Sequence, residues 1–130
     1  MLATSARDSS SAFYAADSGI ECAAYGELKR DAFRLSSDNT ANMGCSLTPT
    51  PNFTSKPAFS VMLTSGVFVF HAKFDNTCAV VTVTKTINSD GTVTTRIESR
   101  GYNTGWASSP ANTCTVTSAK RVERAIHLKY

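Results

Sequence analysis

The sequence predicts an α+β domain: one long N-terminal helix, then a mostly antiparallel sheet of four or five strands. Three observations predict it. Apolar residues recur at helical spacing from about Thr4 to Arg34. From Pro57 onward the apolar period falls to two, as in a strand. Between two Val- and Thr-rich runs stands Asn88-Ser-Asp-Gly91-Thr, a hairpin signal with Asp90-Gly91 at its turn.

The elements follow in chain order. Thr4 or Ser5 can cap the helix, and Asp8 sits where the helix dipole favours a negative charge. At about 100° per residue the helix carries two apolar stripes. Ala6, Phe13, Ala16, Ile20 and Ala24 form the first, which is expected to lie on the protein's own sheet. Ala12, Ala15, Gly19, Cys22 and Gly26 form the second, built of small residues and expected to face a neighbouring subunit at close approach. A self-contained globule normally buries one stripe of a surface helix and solvates the rest. Two stripes ask for two partners, which points to assembly, not catalysis. Gly19 and Gly26 each cost about 1 kcal/mol of helix propensity, tolerable where close packing returns it.

Residues 36–57 are rich in Ser, Thr, Asn and Pro and read as an irregular connection. Phe59, Val61 and Leu63 alternate with polar partners as a first strand. Gly66 to Phe74 is denser in apolar residues, as in a central strand. Thr77 to Ile87 and Val93 to Tyr102 alternate through Val, Thr and Ile. Gly105 to Asn112 reads as a loop around Trp106 and Pro110. The last strand, Arg121 to Tyr130, puts Val122, Ile126, Leu128 and Tyr130 on one face and Arg121, Glu123, His127 and Lys129 on the other. At 130 residues this is one domain. Residues 1–35 supply the helix and 36–130 the sheet headgroup.

Composition narrows the function classes. A net charge of +3 is too mild to argue by itself for nucleic acid or an anionic membrane. Cys22, Cys45, Cys78 and Cys114 lie far apart with no C-x-x-C pair, which suits two disulfides in an oxidising compartment better than a zinc site. Three pairings are possible. Cys22–Cys45 with Cys78–Cys114 is favoured because it joins chain-order neighbours. An exported chain needs an export signal, yet Met1-Leu2-Ala3 leads straight into polar residues. No run of about 18 apolar residues is present to span a bilayer. A hydrophobic segment ahead of Met1 is therefore expected.

No catalytic constellation stands out. Serines are many, but no G-x-S-x-G elbow, G-x-G-x-x-G or P-loop occurs, and the ten acidic residues are scattered. His71 and His127 sit singly in strands, whereas a metal needs three or four converging ligands. No enzyme activity, cofactor, metal or small-molecule substrate is expected. Lys120, Arg121, Arg124 and Lys129 cluster near the C-terminus, but Arg124 falls on the apolar-face parity and suits an ion pair or stem packing, so nucleic acid is not an expected partner. Glu21 is placed to meet a basic partner across an assembly interface, or to stay solvated. Trp106, among Gly and Ser, is a candidate ligand contact or a core plug. Asn52-Phe-Thr54 fits a glycosylation sequon.

Ala6-Arg-Asp-Ser-Ser-Ser-Ala-Phe-Tyr-Ala-Ala-Asp-Ser-Gly-Ile-Glu-Cys-Ala23 resembles the end of the N-terminal helix in type IV pilin-like proteins of the PilX group. In those, a Tyr-Ala-Ala-(Asp/Glu)-(Ser/Thr/Ala)-Gly-(Ile/Val)-Glu motif follows the hydrophobic half of the helix. Ile97-Glu-Ser-Arg-Gly-Tyr-Asn103 and Arg121-Val-Glu-Arg-Ala-Ile126 resemble paired strand motifs of pilin-like proteins. Together these segments cover about a quarter of the chain. Family members begin with a short basic leader, a cleavage site and about twenty apolar residues, none of which this chain contains. The resemblance implies a pilin-like fold and a structural subunit, a minor pilin or pseudopilin, that assembles through its N-terminal helix. It implies other pilin subunits and the inner-membrane assembly machinery as partners. It also implies an extracytoplasmic location, membrane-anchored before assembly and in a filament after it. Ala12, Phe13, Ala16, Gly19, Ile20 and Glu21 lie in the matching helix segment. The alternative is a secreted adhesin or ligand-binding tip domain using the 36–57 loop and Trp106.

Overall fold

The computed structural model describes residues 2–30, 33, 52–55, 65–108 and 112–129. Helix α1 spans Leu2–Tyr25 and widens into a π-helical turn at Gly26–Arg30. Strands β1 (Asn52–Ser55), β2 (Ser65–Phe74), β3 (Thr77–Ile87), β4 (Val93–Tyr102) and β7 (Glu123–Lys129) form a five-stranded sheet in the order β1–β2–β3–β4–β7. Every neighbouring pair is antiparallel. The α+β architecture is thus a helix on an antiparallel sheet. A second, two-stranded sheet pairs β5 (Trp106–Ala107) with β6 (Thr113–Cys114), within and just after a stretch expected to be loop.

Two tight turns fix the register of the central strands. At Asn88–Thr92 the Asn88 amide donates to the Thr92 carbonyl (2.8 Å) and Gly91 N donates to Asn88 O (3.0 Å). Gly91 takes φ 86°, which only glycine adopts without cost. The Asp90 carboxylate accepts from both the amide and the hydroxyl of Thr92. Those bonds hold its pKa below the usual carboxylate value, the Thr92 side chain contributing most. The β2–β3 turn is closed by Thr77 Oγ1 donating to Phe74 O at 2.6 Å.

The strand period sorts the residues onto two faces. Phe68, Phe70 and Ala72 of β2, Ala79, Val81 and Val83 of β3, and Ile97, Ser99 and Gly101 of β4 are buried on the inner face. Ile126 and Leu128 of β7 pack against this core. Helix α1 lies over β3, β4 and β7, and Phe33 covers β2. The Phe33 ring sits edge-on to Phe68 at 5.2 Å and stacks on Phe70 at 6.4 Å. Phe53 reaches Phe70 from β1 at 5.6 Å, so part of the expected 36–57 connection is in fact an edge strand. The strand expected through Phe59, Val61 and Leu63 lies outside the described residues.

Helix and sheet approach very closely, because the residues where they meet are small. A Cβ on Gly101 would sit 2.8 Å from Ala16 Cα, and nearer still to Ala12 O and Ala16 N. A Cβ on Gly19 would sit 2.9 Å from Val81 Cγ2 and closer to Ser99 Oγ. Farther along the helix, Glu27 of the π turn forms an ion pair with Lys85, whose side chain is 8% exposed. Thr95 Oγ1 donates to the same Glu27 Oε1 at 3.4 Å. A lysine on the inner face of a central strand is tolerable only with such a partner.

Cys78 and Cys114 form one of the two expected disulfides, tying β3 to β6 across a separation of 36 residues. Closing a loop of that size stabilises the fold by roughly 3–4 kcal/mol in the chain-entropy picture. Cys22 is also disulfide-bonded, and Cys45 lies outside the described residues. His71 stands beside this bridge on the outer face, its Nδ1 accepting from the Cys114 amide at 2.9 Å. Burial first, then the nearby Arg121 charge, holds the His71 pKa below its ordinary value. Arg121 itself stacks over the Tyr102 ring at 3.7 Å and donates to Cys114 O at 2.7 Å.

Candidate functional site

The small-residue stripe of α1, expected to face a neighbour, lies on the protein's own sheet together with Ala16 and Ile20 of the first stripe. Ala12, Ala15, Ala16 and Ala23 are fully buried on the sheet, with Gly19 and Cys22 buried beside them. Phe13, expected on the sheet, is 55% exposed. Ile20 and Ala16 of that first stripe are buried at the border, and Ala24 is half-buried. The cause is size. The sheet offers small residues at Gly101, Ser99 and Ala79, so the small-residue face of the helix can seat closely there. Once the axis comes that close, a phenylalanine has no room beneath it and turns outward.

The outward arc of α1 therefore carries the large side chains. Phe13, Tyr14 (49% exposed) and Tyr25 (45%) recur along it, with the exposed Asp17 and Glu21 between them, and Leu28 (67%) follows in the π turn. Four of the eight exposed large hydrophobic side chains among the described residues thus lie along this arc and its π turn. They mark the candidate assembly face. Glu21 lies on it, whereas Ala12, Ala16 and Gly19 act from the opposite side by fixing how the helix is seated.

The outer face of the sheet is a second, chemically different surface. Its central rows, read across β3, β4 and β7, are Thr84–Arg96–Lys129, Thr82–Glu98–His127 and Val80–Arg100–Ala125. Arg100 donates from Nε to Glu98 (2.5 Å) and from Nη1 to Glu123 (2.6 Å). These bonds, Glu98 first, raise its already high pKa further. His127 Nδ1 lies 3.6 Å from the other Glu98 oxygen. Tyr102, half-buried under Arg121, has its phenol pKa raised, chiefly by burial and then by Glu123.

Other expected positions are scattered. Trp106 is half-buried and paired with Cys114 in the small sheet, so it is not a projecting loop tip. Of the basic cluster, Lys120 is exposed, Arg121 is engaged, and Arg124 and Lys129 fall on opposite faces of β7. They do not form one patch. Thr54 of the sequon is exposed in β1. Among the described residues no three His, Cys, Asp or Glu side chains converge on a metal-sized point, and no helix is long and apolar enough to cross a membrane.

No known protein family, curated protein or solved structure matches the chain.

Proposed function

We propose that this chain is a structural subunit, a minor pilin or pseudopilin, of a type IV pilus or a related secretion or competence filament. The observation that carries the proposal is the two-sided first helix: seated on its own sheet by small residues, it and its π turn present Phe13, Tyr14, Tyr25 and Leu28 to solvent on the other side. A neighbouring subunit covering those side chains gains roughly 1 kcal/mol for each half-exposed one, without disturbing the fold. The likeness of the Phe13–Glu21 segment to the PilX group supports the same reading. Its partners are other pilin subunits and, through an apolar segment ahead of Met1, the inner-membrane assembly machinery. The subunit is anchored before assembly and displayed outside the cytoplasm after it, with no chemistry performed.

The test is incorporation of the double variant Phe13→Ser/Tyr14→Ser into sheared surface filaments in the native host. The isolated domain keeps its unfolding midpoint, because both side chains are already solvated, while incorporation is lost. Wild-type incorporation of the double variant refutes the assembly face. A native reading frame with no leader and apolar segment before Met1 refutes the filament.

A further inference from the structure

The row Thr84–Arg96–Lys129 breaks the pattern of the outer face. Arg96 and Lys129 are direct cross-strand partners, two cations side by side on one face. Like charges directly opposite each other destabilise a sheet. On the neighbouring rows Arg100 is held by Glu98 and Glu123, and His127 lies 3.6 Å from Glu98. Glu98 lies one row away, but its Oε1 already holds Arg100 and its Oε2 faces His127. Among the described residues, Arg96 and Lys129 have no acidic partner.

These two cations border a groove of about 330 Å³ lined also by Thr84, Thr86, Asn88 and Thr94. The hydroxyls of Thr84 and Thr86 make no side-chain hydrogen bond to any described residue. Asn88 donates to both Thr92 and Thr94 (2.9 Å each), which fixes the Thr94 oxygen and leaves its O–H free to donate outward. Arg96, Lys129 and three threonines thus line one shallow, polar concavity. That donor set suits a ligand bearing one anionic group and several hydroxyls. It does not suit a nucleic-acid strand, which needs an extended basic track with exposed aromatic rings for stacking. Glu98 and Glu123 interrupt this face, and of its rings Tyr102 lies beneath Arg121, His71 is buried against the Cys114 amide and His127 stands beside Glu98.

We propose that this groove, at the hairpin end of the outer sheet face, binds an acidic saccharide. Its carboxylate or sulfate bridges Arg96 and Lys129, and its hydroxyls pair with Thr84, Thr86 and Thr94. The bound anion relieves the repulsion within the row. The proposal stands apart from filament assembly, since it uses the face of the sheet away from α1.

The test is a titration of the isotope-labelled domain at low salt, read by amide and side-chain NMR shifts. The probes are trigalacturonate, a sulfated trisaccharide, neutral maltotriose, sodium sulfate and a short single-stranded oligodeoxynucleotide. The expected result is saturable shifts at residues 84–96 and Lys129 with either acidic saccharide, the stronger of the two identifying the anionic group. Arg96→Gln weakens that binding roughly tenfold, the size of one charge-assisted hydrogen bond. Arg124→Gln, on the opposite face, leaves it unchanged. Lys129→Glu abolishes binding and raises the thermal midpoint of the free protein, because it replaces a like pair by an opposite one. Equal shifts with maltotriose, binding of bare sulfate alone, tighter binding of the oligodeoxynucleotide, or no saturable shift with any probe would each overturn the proposal. So would a lower midpoint for Lys129→Glu, which would show that the two cations serve the fold.

Discussion

Replacing Gly101 by alanine tests the seating of the helix, which sets how the assembly face is presented. The new methyl would lie 2.8 Å from Ala16 Cα and closer to Ala12 O and Ala16 N, well inside the 3.4–4 Å of ordinary contact. Those atoms are helix backbone, so no rotamer change makes room; α1 must lift by about 1 Å. A gap of that order forfeits a quarter to a half of each dispersion contact, and it opens along Ala12, Ala15, Ala16, Gly19 and Ala23 together. Overpacking a core costs about 1–3 kcal/mol, more where backbone must move, so at least about 3 kcal/mol is expected here. Urea unfolding followed by circular dichroism reads this directly. With a slope of about 1–3 kcal/mol per molar urea, the midpoint falls by roughly 1–3 M. Gly91→Ala is the control, for its Cβ meets nothing within 4 Å and only the φ of 86° is penalised. That costs about 1–2 kcal/mol. Should Gly101→Ala unfold within about 1 kcal/mol of the parent, or cost no more than Gly91→Ala, the close approach described above is wrong.

Two further predictions concern charges in the fold. Lys85→Met strands Glu27, whose Oε2 already lacks a hydrogen-bond partner, and is expected to cost about 3–5 kcal/mol in urea unfolding; the double variant with Glu27→Leu recovers most of it, and a double variant as weak as the single one refutes the pairing. Because the folded-state pKa of His71 lies below its ordinary 6.5, the unfolded chain takes up the proton first, so stability is full above that value and is lost as pH falls below it; His71→Gln, which keeps an acceptor for the Cys114 amide, flattens that fall below about pH 6.5, whereas an unchanged slope would assign the loss to other groups.

Local signals carried much of this fold. The Val and Thr alternation gives β3 and β4 their expected bounds, Thr77–Ile87 and Val93–Tyr102, because side-chain period and the Asp90-Gly91 turn act within a few residues. Seating of the helix was not legible in the same way. Apolar spacing marks both stripes of α1 equally, and only the small residues at Ala79, Ser99 and Gly101, far along the chain, draw the small stripe onto the sheet and leave Phe13 outward. Lys85 reads as an error in an inward position until Glu27, 58 residues earlier, is brought against it. β1 hides in a Ser- and Pro-rich stretch because a single aromatic, Phe53, supplies its core contact. The Arg96–Lys129 pair depends on the register between β4 and β7, which neither strand states alone.

Alternation in β4 separates the two surfaces of this domain and makes a last prediction possible. Ile97, Ser99 and Gly101 point to the helix; Arg96, Glu98 and Arg100 point away from it. A side chain on the outward arc of α1 and one on the far face of the sheet therefore have the whole domain between them, with no shared neighbour to couple them. Substitutions at the two surfaces should then act independently. Phe13→Ser/Tyr14→Ser is expected to abolish incorporation into filaments and leave saccharide-induced shifts at the Arg96 row intact. Arg96→Gln is expected to do the reverse. Gly101→Ala, which unseats the helix from the sheet, is expected to impair incorporation while weakening the saccharide site only as far as it lowers the folded fraction, a difference that vanishes when binding is normalised to folded protein. If either surface variant disturbs the other surface's readout, the two faces are not separate sites, and assembly would have to involve the sheet as well as the helix.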